Sequence, residues 1–208
     1  MVDIPFLKRM WPTKRQSKAP VTPLSDDGIE QWEQFAGQGN SPRLLEQKAT
    51  VIAELIRMSA DLPFDLAESF QEETPSIKLN VEQKHRSRLE AVAFALRIVD
   101  ELSSLCLSGD QRNILMTAIE SILAETFCND IFLPDQFDAF IQEKYEDYGS
   151  YKRWSDTDPG TGITLFWEYE RRQAHIIGIG KSALYNTMLG ALLAEQINRW
   201  GIRNLLSP

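Results

Sequence analysis

Residues 80–109 read NVEQKHRSRLEAVAFALRIVDELSSLCLSG, and they decide the fold. Asn80 followed three residues later by Gln83 is a capping box, in which each side chain satisfies a backbone N–H that the first helical turn leaves without a partner. Beyond it Leu89, Val92, Leu96, Val99, Leu102 and Cys106 recur at intervals of three and four, the repeat of one face of an α-helix. Gly109 is expected to end it. A helix of about seven turns needs other helices to cover its apolar face, so the stretch points to an all-α fold.

Working outward, the same signals recur on both sides. Ser41 stands as N-cap before Pro42, which suits the first helical position because its missing N–H has no intrahelical acceptor there. The apolar face that follows is Leu44, Leu45, Ile52, Leu55 and Ile56, ending near Ala60 ahead of Pro63. A shorter helix is expected over residues 63–71. Downstream of Asp110, Leu115, Ile119, Ile122 and Leu123 mark a helix that should stop around Asn129. Pro134 starts another with the stripe Phe137, Phe140, Ile141, Tyr145 and Tyr148, closed by Gly149. Residues 155–162 have the Asp, Pro and Gly content of a loop. After them Ile163, Phe166, Trp167, Ala174 and Ile177 predict a helix that Gly178 and Gly180 interrupt. The last helix, residues 181–200, lines up Ala183, Thr187, Gly190, Ala191 and Ala194, a face of small residues that lets two helix backbones approach.

No alternation long enough for a sheet is present, although residues 76–81 and 174–179 have room for short strands. The architecture expected is a single globular multi-helix bundle of about six helices, residues 41–208, preceded by an irregular arm, residues 1–40. That arm holds Pro5, Pro12, Pro20 and Pro23 and then Gly28, Gly37 and Gly39, which exclude a long helix. A helical turn fits residues 25–35.

Length and composition agree with a folded domain: 208 residues, 43% hydrophobic and 25% charged. The longest charge-free apolar run, residues 182–194, has 13 residues, short of the roughly 20 that span a bilayer. With no secretory leader pattern at the N-terminus, a soluble cytoplasmic protein is expected. Cys106 and Cys128 have no second Cys or His at metal-site spacing and read as buried thiols, so no metal site and no cofactor are expected. Lys8, Arg9, Lys14, Arg15 and Lys18 against Asp3 give residues 1–20 a charge of +4, which leaves −12 on residues 21–208 out of the total of −8. Such a body repels nucleic acid and anionic lipid, and only the arm, with Phe6, Leu7 and Trp11 among its basic residues, is suited to touching a membrane surface or a partner.

Several constellations are chemically suggestive. Gly178, Gly180, Lys181 and Ser182 echo the end of a phosphate-cradling loop, but His175 stands where its first glycine belongs. What survives is a weak anion site at Gly180, Lys181 and Ser182, where helical N–H groups would be exposed. Glu82 and His85 form a Glu-x-x-His pair that a di-iron bundle would need twice, and the chain has no second one. Asp156, Asp158, Gly160 and Gly162 miss the calcium-loop pattern at Thr161 and Trp167.

Glu170 carries the sharpest expectation. Flanked on its stripe by Phe166, Trp167, Ala174 and Ile177, it should be at least half buried. It must then pair with an arginine such as Arg171, Arg172 or Arg97, take a raised pKa, or bind a ligand. Glu168, Arg172 and His175 lie at i, i+4 and i+7, a spacing compatible with acid–base work and equally with a charged face. Tyr145, Tyr148, Tyr151 and Trp154, interleaved with Lys144, Lys152 and Arg153, suit a partner surface or the edge of a core.

The function expected from these features is a helical protein-interaction module, a regulatory or adaptor subunit rather than an enzyme. Its partner would be another protein, or a second copy docked through the last helix. The competing expectations are a helical enzyme or small-ligand binder using Glu168, Glu170, Arg172 and His175, and a peripheral membrane protein held by residues 1–20.

Overall fold

The computed structural model describes residues 38–69, 79–128, 134–149, 165–179 and 183–207. The chain divides into two units, residues 1–34 and 35–208, and all the described residues belong to the second. They form eight helices and no strand: α1 Pro42–Ser59, α2 Leu62–Ser69, α3 Val81–Cys106, α4 Gly109–Phe127, α5 Pro134–Gly149, α6 Leu165–Ile177, α7 Ala183–Trp200 and α8 Ile202–Leu206. Six of these have 13 residues or more, as the all-α bundle reading expects. Residues 174–177 are helical, so no strand forms there. The helical turn expected over residues 25–35 and the loop expected over residues 155–162 lie outside the described residues.

The central helix is α3, which packs against α1, α2, α4, α5, α6 and α8, while α7 is held by α6 and α2. Between Leu89 and Ser103 every residue is buried except Arg97 and Glu101. A helix covered on all sides needs apolar or small residues on all sides, and the buried Ala91, Ala93 and Ala95 are the small ones among them. The capping box at its start is present, with the Gln83 N–H donating to Asn80 Oδ1 (2.8 Å) and the Asn80 N–H donating to Gln83 Oε1 (3.1 Å).

Gly109 does not end α3; it opens α4. Ser108 is the N-cap of α4, and with Gln111 it builds a second capping box. The chain turns at Leu107, which is extended. At the far end Trp200 is buried, and Gly201 (φ 55) adopts the left-handed conformation that reverses the chain into α8. There Ile202, Leu205 and Leu206 are buried; fully burying apolar side chains of this size contributes roughly 1.5–3 kcal/mol each.

The N-terminal edge of the described unit is fastened by a buried lysine. Lys48 is 0% exposed and donates to the Gly39 carbonyl (3.0 Å) and to Asn40 Oδ1 (2.9 Å). Asn40 in turn donates to the Leu206 carbonyl (2.9 Å) and accepts from Gln111 at its own carbonyl (3.0 Å). Burial lowers the Lys48 pKa. Cys106 and Cys128 are half-buried rather than buried, because both stand at the ends of their helices.

Candidate functional site

The side chains of α6 divide between the core and the surface. Leu165, Phe166, Tyr169, Ala174 and Ile177 face the core, where Phe94 stacks on Tyr169 (4.2 Å between centroids) and meets Phe166 edge-on (5.2 Å). Gln173 is buried with them because Ser87 Oγ donates to its Oε1 (2.7 Å) and its Nε2 donates to the Ser87 carbonyl (2.9 Å). Trp167 is not on this stripe. It is 46% exposed, and its place on the inner face is taken by Glu168 and Tyr169.

Glu168 is the unexpected inner residue, at 1% exposure. Arg171 reaches it through Nε (2.8 Å) and Nη2 (2.7 Å), and Arg172 through Nε (2.7 Å). Arg172 then bridges to α5, donating to Asp147 Oδ2 (2.8 Å) and lying 5.0 Å over the Tyr148 ring. Tyr148 donates a short hydrogen bond to Glu90 Oε1 on α3, and Glu90 also faces Arg172 Nη1 (3.6 Å) and Lys144 Nζ (3.8 Å). Three carboxylates (Glu90, Asp147, Glu168) thus face three cations (Lys144, Arg171, Arg172) where α3, α5 and α6 converge.

Electrostatics favour the charged forms of Glu168 and Asp147. Burial works against the Glu168 carboxylate, but the two arginines outweigh it and hold its pKa below the usual range. The Arg172 hydrogen bond does the same for Asp147. Burial and then the Glu90 charge push the Tyr148 hydroxyl well above its ordinary value, so it remains a donor. Chemically the arrangement is a closed staple, in which each charge is met by an opposite one. His175 is exposed near the end of α6 and stands apart from it.

Glu170 behaves differently from its neighbours. It is half-buried and forms no hydrogen bond or ion pair among the described residues, because Arg171 and Arg172 are turned to Glu168 and Arg97, farther along α3, binds Glu101 (2.9 Å). Burial raises its pKa to about 7. Of the three outcomes open to this residue, pairing with an arginine is not found among the described residues, and burial favours its neutral form.

A second polar cluster, not read from the sequence, joins α3, α4 and α5. Arg112 holds Asp100 with two hydrogen bonds of 2.6 Å, and Arg97 approaches the same carboxylate at 3.6 Å. The Tyr145 hydroxyl is buried with no hydrogen-bond partner among the described residues. Burial, then Asp100 and Glu120, raise its pKa, and burial followed by Asp138 and Asp100 raises that of Glu120.

The remaining expected site residues are placed as follows. The rings of Tyr145 and Tyr148 point inward, Tyr148 being fully buried, so they contribute to the core. Trp11, Tyr151, Trp154, Gly180, Lys181 and Ser182 lie outside the described residues. Among the described residues no group of three or more His, Cys, Asp or Glu side chains is arranged to hold a metal ion, and no helix is long and apolar enough to cross a membrane. A groove of about 180 Å³ runs beside Leu102, Ile197, Gly201, Ile202 and Arg203, remote in the fold from the Glu168 staple. Comparison with protein-family models, curated proteins and solved structures finds no match to this chain.

Proposed function

We propose that this chain is a helical protein-interaction module, a regulatory or adaptor subunit that engages another protein through the outer face of α6. The observation that carries this reading is the exposure of Trp167. Folding normally removes so large an apolar side chain from water, and tryptophan and arginine are the residue types in which interface energy concentrates. Arg171 lies 6.0 Å from its ring, and His175 is exposed one turn further along. The same Arg171 is tied to Glu168, so the face is backed by the staple and is presented on a rigid helix rather than on a loop.

Native mass spectrometry of the chain isolated gently from its own source tests the reading. Wild-type protein is expected to carry a partner polypeptide that is lost from Trp167→Ala while the circular dichroism spectrum is unchanged. A Trp167→Ala chain that retains the same partner sinks the proposal. A second reading, a polar ligand site at Glu170, is favoured by that carboxyl having no hydrogen-bond or ion-pair partner among the described residues. It expects reproducible small-molecule mass that disappears in Glu170→Gln, and no such mass would remove it.

A further inference from the structure

Glu170 of α6 meets α7 at Gly190. A Cβ at position 190 would lie 3.0 Å from Glu170 Cδ and would overlap its Oε1, so the carboxyl occupies the space that any other residue would need. The glycine in the small-residue face of the last helix therefore serves a contact within the chain. An ionised carboxylate pressed on helix backbone is poorly solvated, because the backbone N–H groups it meets are already engaged in the helix.

The charged groups on the elements packed around it are turned elsewhere. On α6, Arg171 and Arg172 hold Glu168. On α3, Arg88 holds Asp61 (2.6 Å), Glu90 belongs to the staple, Lys84 lies over the Phe64 ring (5.6 Å), and His85 is half-buried with its pKa lowered by burial and by Arg88. On α7, Glu195 pairs with Arg199, and on α2, Asp65 is exposed. The side chains of Glu68 and Tyr185 are outside the described set. Burial is the cause of the raised Glu170 pKa, near 7.

We propose that Glu170 and Gly190 form a proton-sensitive latch between α6 and α7: the neutral acid closes against the bare helix backbone, and the ionised carboxylate draws water and loosens the contact. The latch does not rest on the partner-binding role of Trp167, which stands three residues before Glu170 on α6 and is 46% exposed.

Hydrogen-exchange mass spectrometry of the full chain, read on peptides of α7 at pH 6 and pH 8 and corrected for intrinsic exchange, tests it. A single proton with a midpoint near 7 changes the opening of α7 by about tenfold over that interval, and Glu170→Gln is expected to exchange equally at both. Histidine side chains also change charge across this range, so a wild-type dependence that persists in Glu170→Gln overturns the proposal, as does a wild type with no dependence. Should Glu170→Gln fail to fold, the ¹³C shift of the Glu170 carboxyl in wild-type protein decides. A midpoint near 7 sustains the latch, and one near the ordinary 4.5 overturns it.

Discussion

Replacing Arg172 by methionine should be among the most damaging single changes on α6. The guanidinium is 19% exposed and serves three carboxylates, Glu168 at 2.7 Å, Asp147 at 2.8 Å and Glu90 at 3.6 Å. Methionine keeps much of the aliphatic volume, so the loss is electrostatic rather than a cavity. It leaves Glu90 with Lys144 at 3.8 Å and Glu168 with Arg171, two buried carboxylates under-compensated by one charge. Breaking a buried pair in this way destabilises by about 3–5 kcal/mol, and the surviving cations place the expected loss at the lower end. The sign with pH follows from Glu168: its pKa is depressed on folding, so the stability it supplies is present above the unfolded value near 4.5 and is lost as pH falls through the lower folded value. The difference between wild type and Arg172→Met is therefore greatest near pH 7 and shrinks toward pH 4. Urea unfolding followed at 222 nm at both pH values measures it. A loss under about 1 kcal/mol at pH 7, the size typical of an exposed pair, or a loss that does not change with pH, would refute the staple.

Two further substitutions probe other parts of the architecture. Gly190→Ala normally gains about 1 kcal/mol in a helix interior, but here the new methyl displaces the Glu170 carboxyl, so thermal unfolding is expected to show a net loss of about 1–2 kcal/mol; a gain would mean that α6 and α7 do not approach as described. Lys48→Met exchanges a buried amine for a side chain of similar length and leaves Asn40 Oδ1 and the Gly39 carbonyl without their donor. Urea midpoints should show it milder than Lys48→Ala, which adds a cavity and loses about 2–4 kcal/mol, and equal losses would mean the stem is not packed.

What the sequence made legible is what local chemistry controls. The starts of α1, α3 and α5 follow from Ser41 with Pro42, from Asn80 with Gln83, and from Pro134, since each acts within one turn of itself. Ser108 and Gln111 carry the same signature as Asn80 and Gln83, yet Gly109 between them reads as a terminator until the extended Leu107 shows where the chain bends. The half-burial of Glu170 was readable from its apolar neighbours. That Arg171 and Arg172 would choose Glu168 was not, because the choice depends on Asp147 and Glu90 arriving from α5 and α3. Periodicity likewise placed Trp167 with Phe166 on the buried stripe, whereas the ion pairs turn α6 so that Glu168 faces in and Trp167 faces out.

The partner-binding face is tested most directly by a photo-cross-linking residue placed at position 167 of the full chain, expressed in its source cell, with the same residue at the exposed position of Glu54 on α1 as control. One discrete cross-linked polypeptide from position 167 and none from position 54 is the predicted result. The same pattern of products from both positions, or none from position 167, would contradict an interaction face on α6.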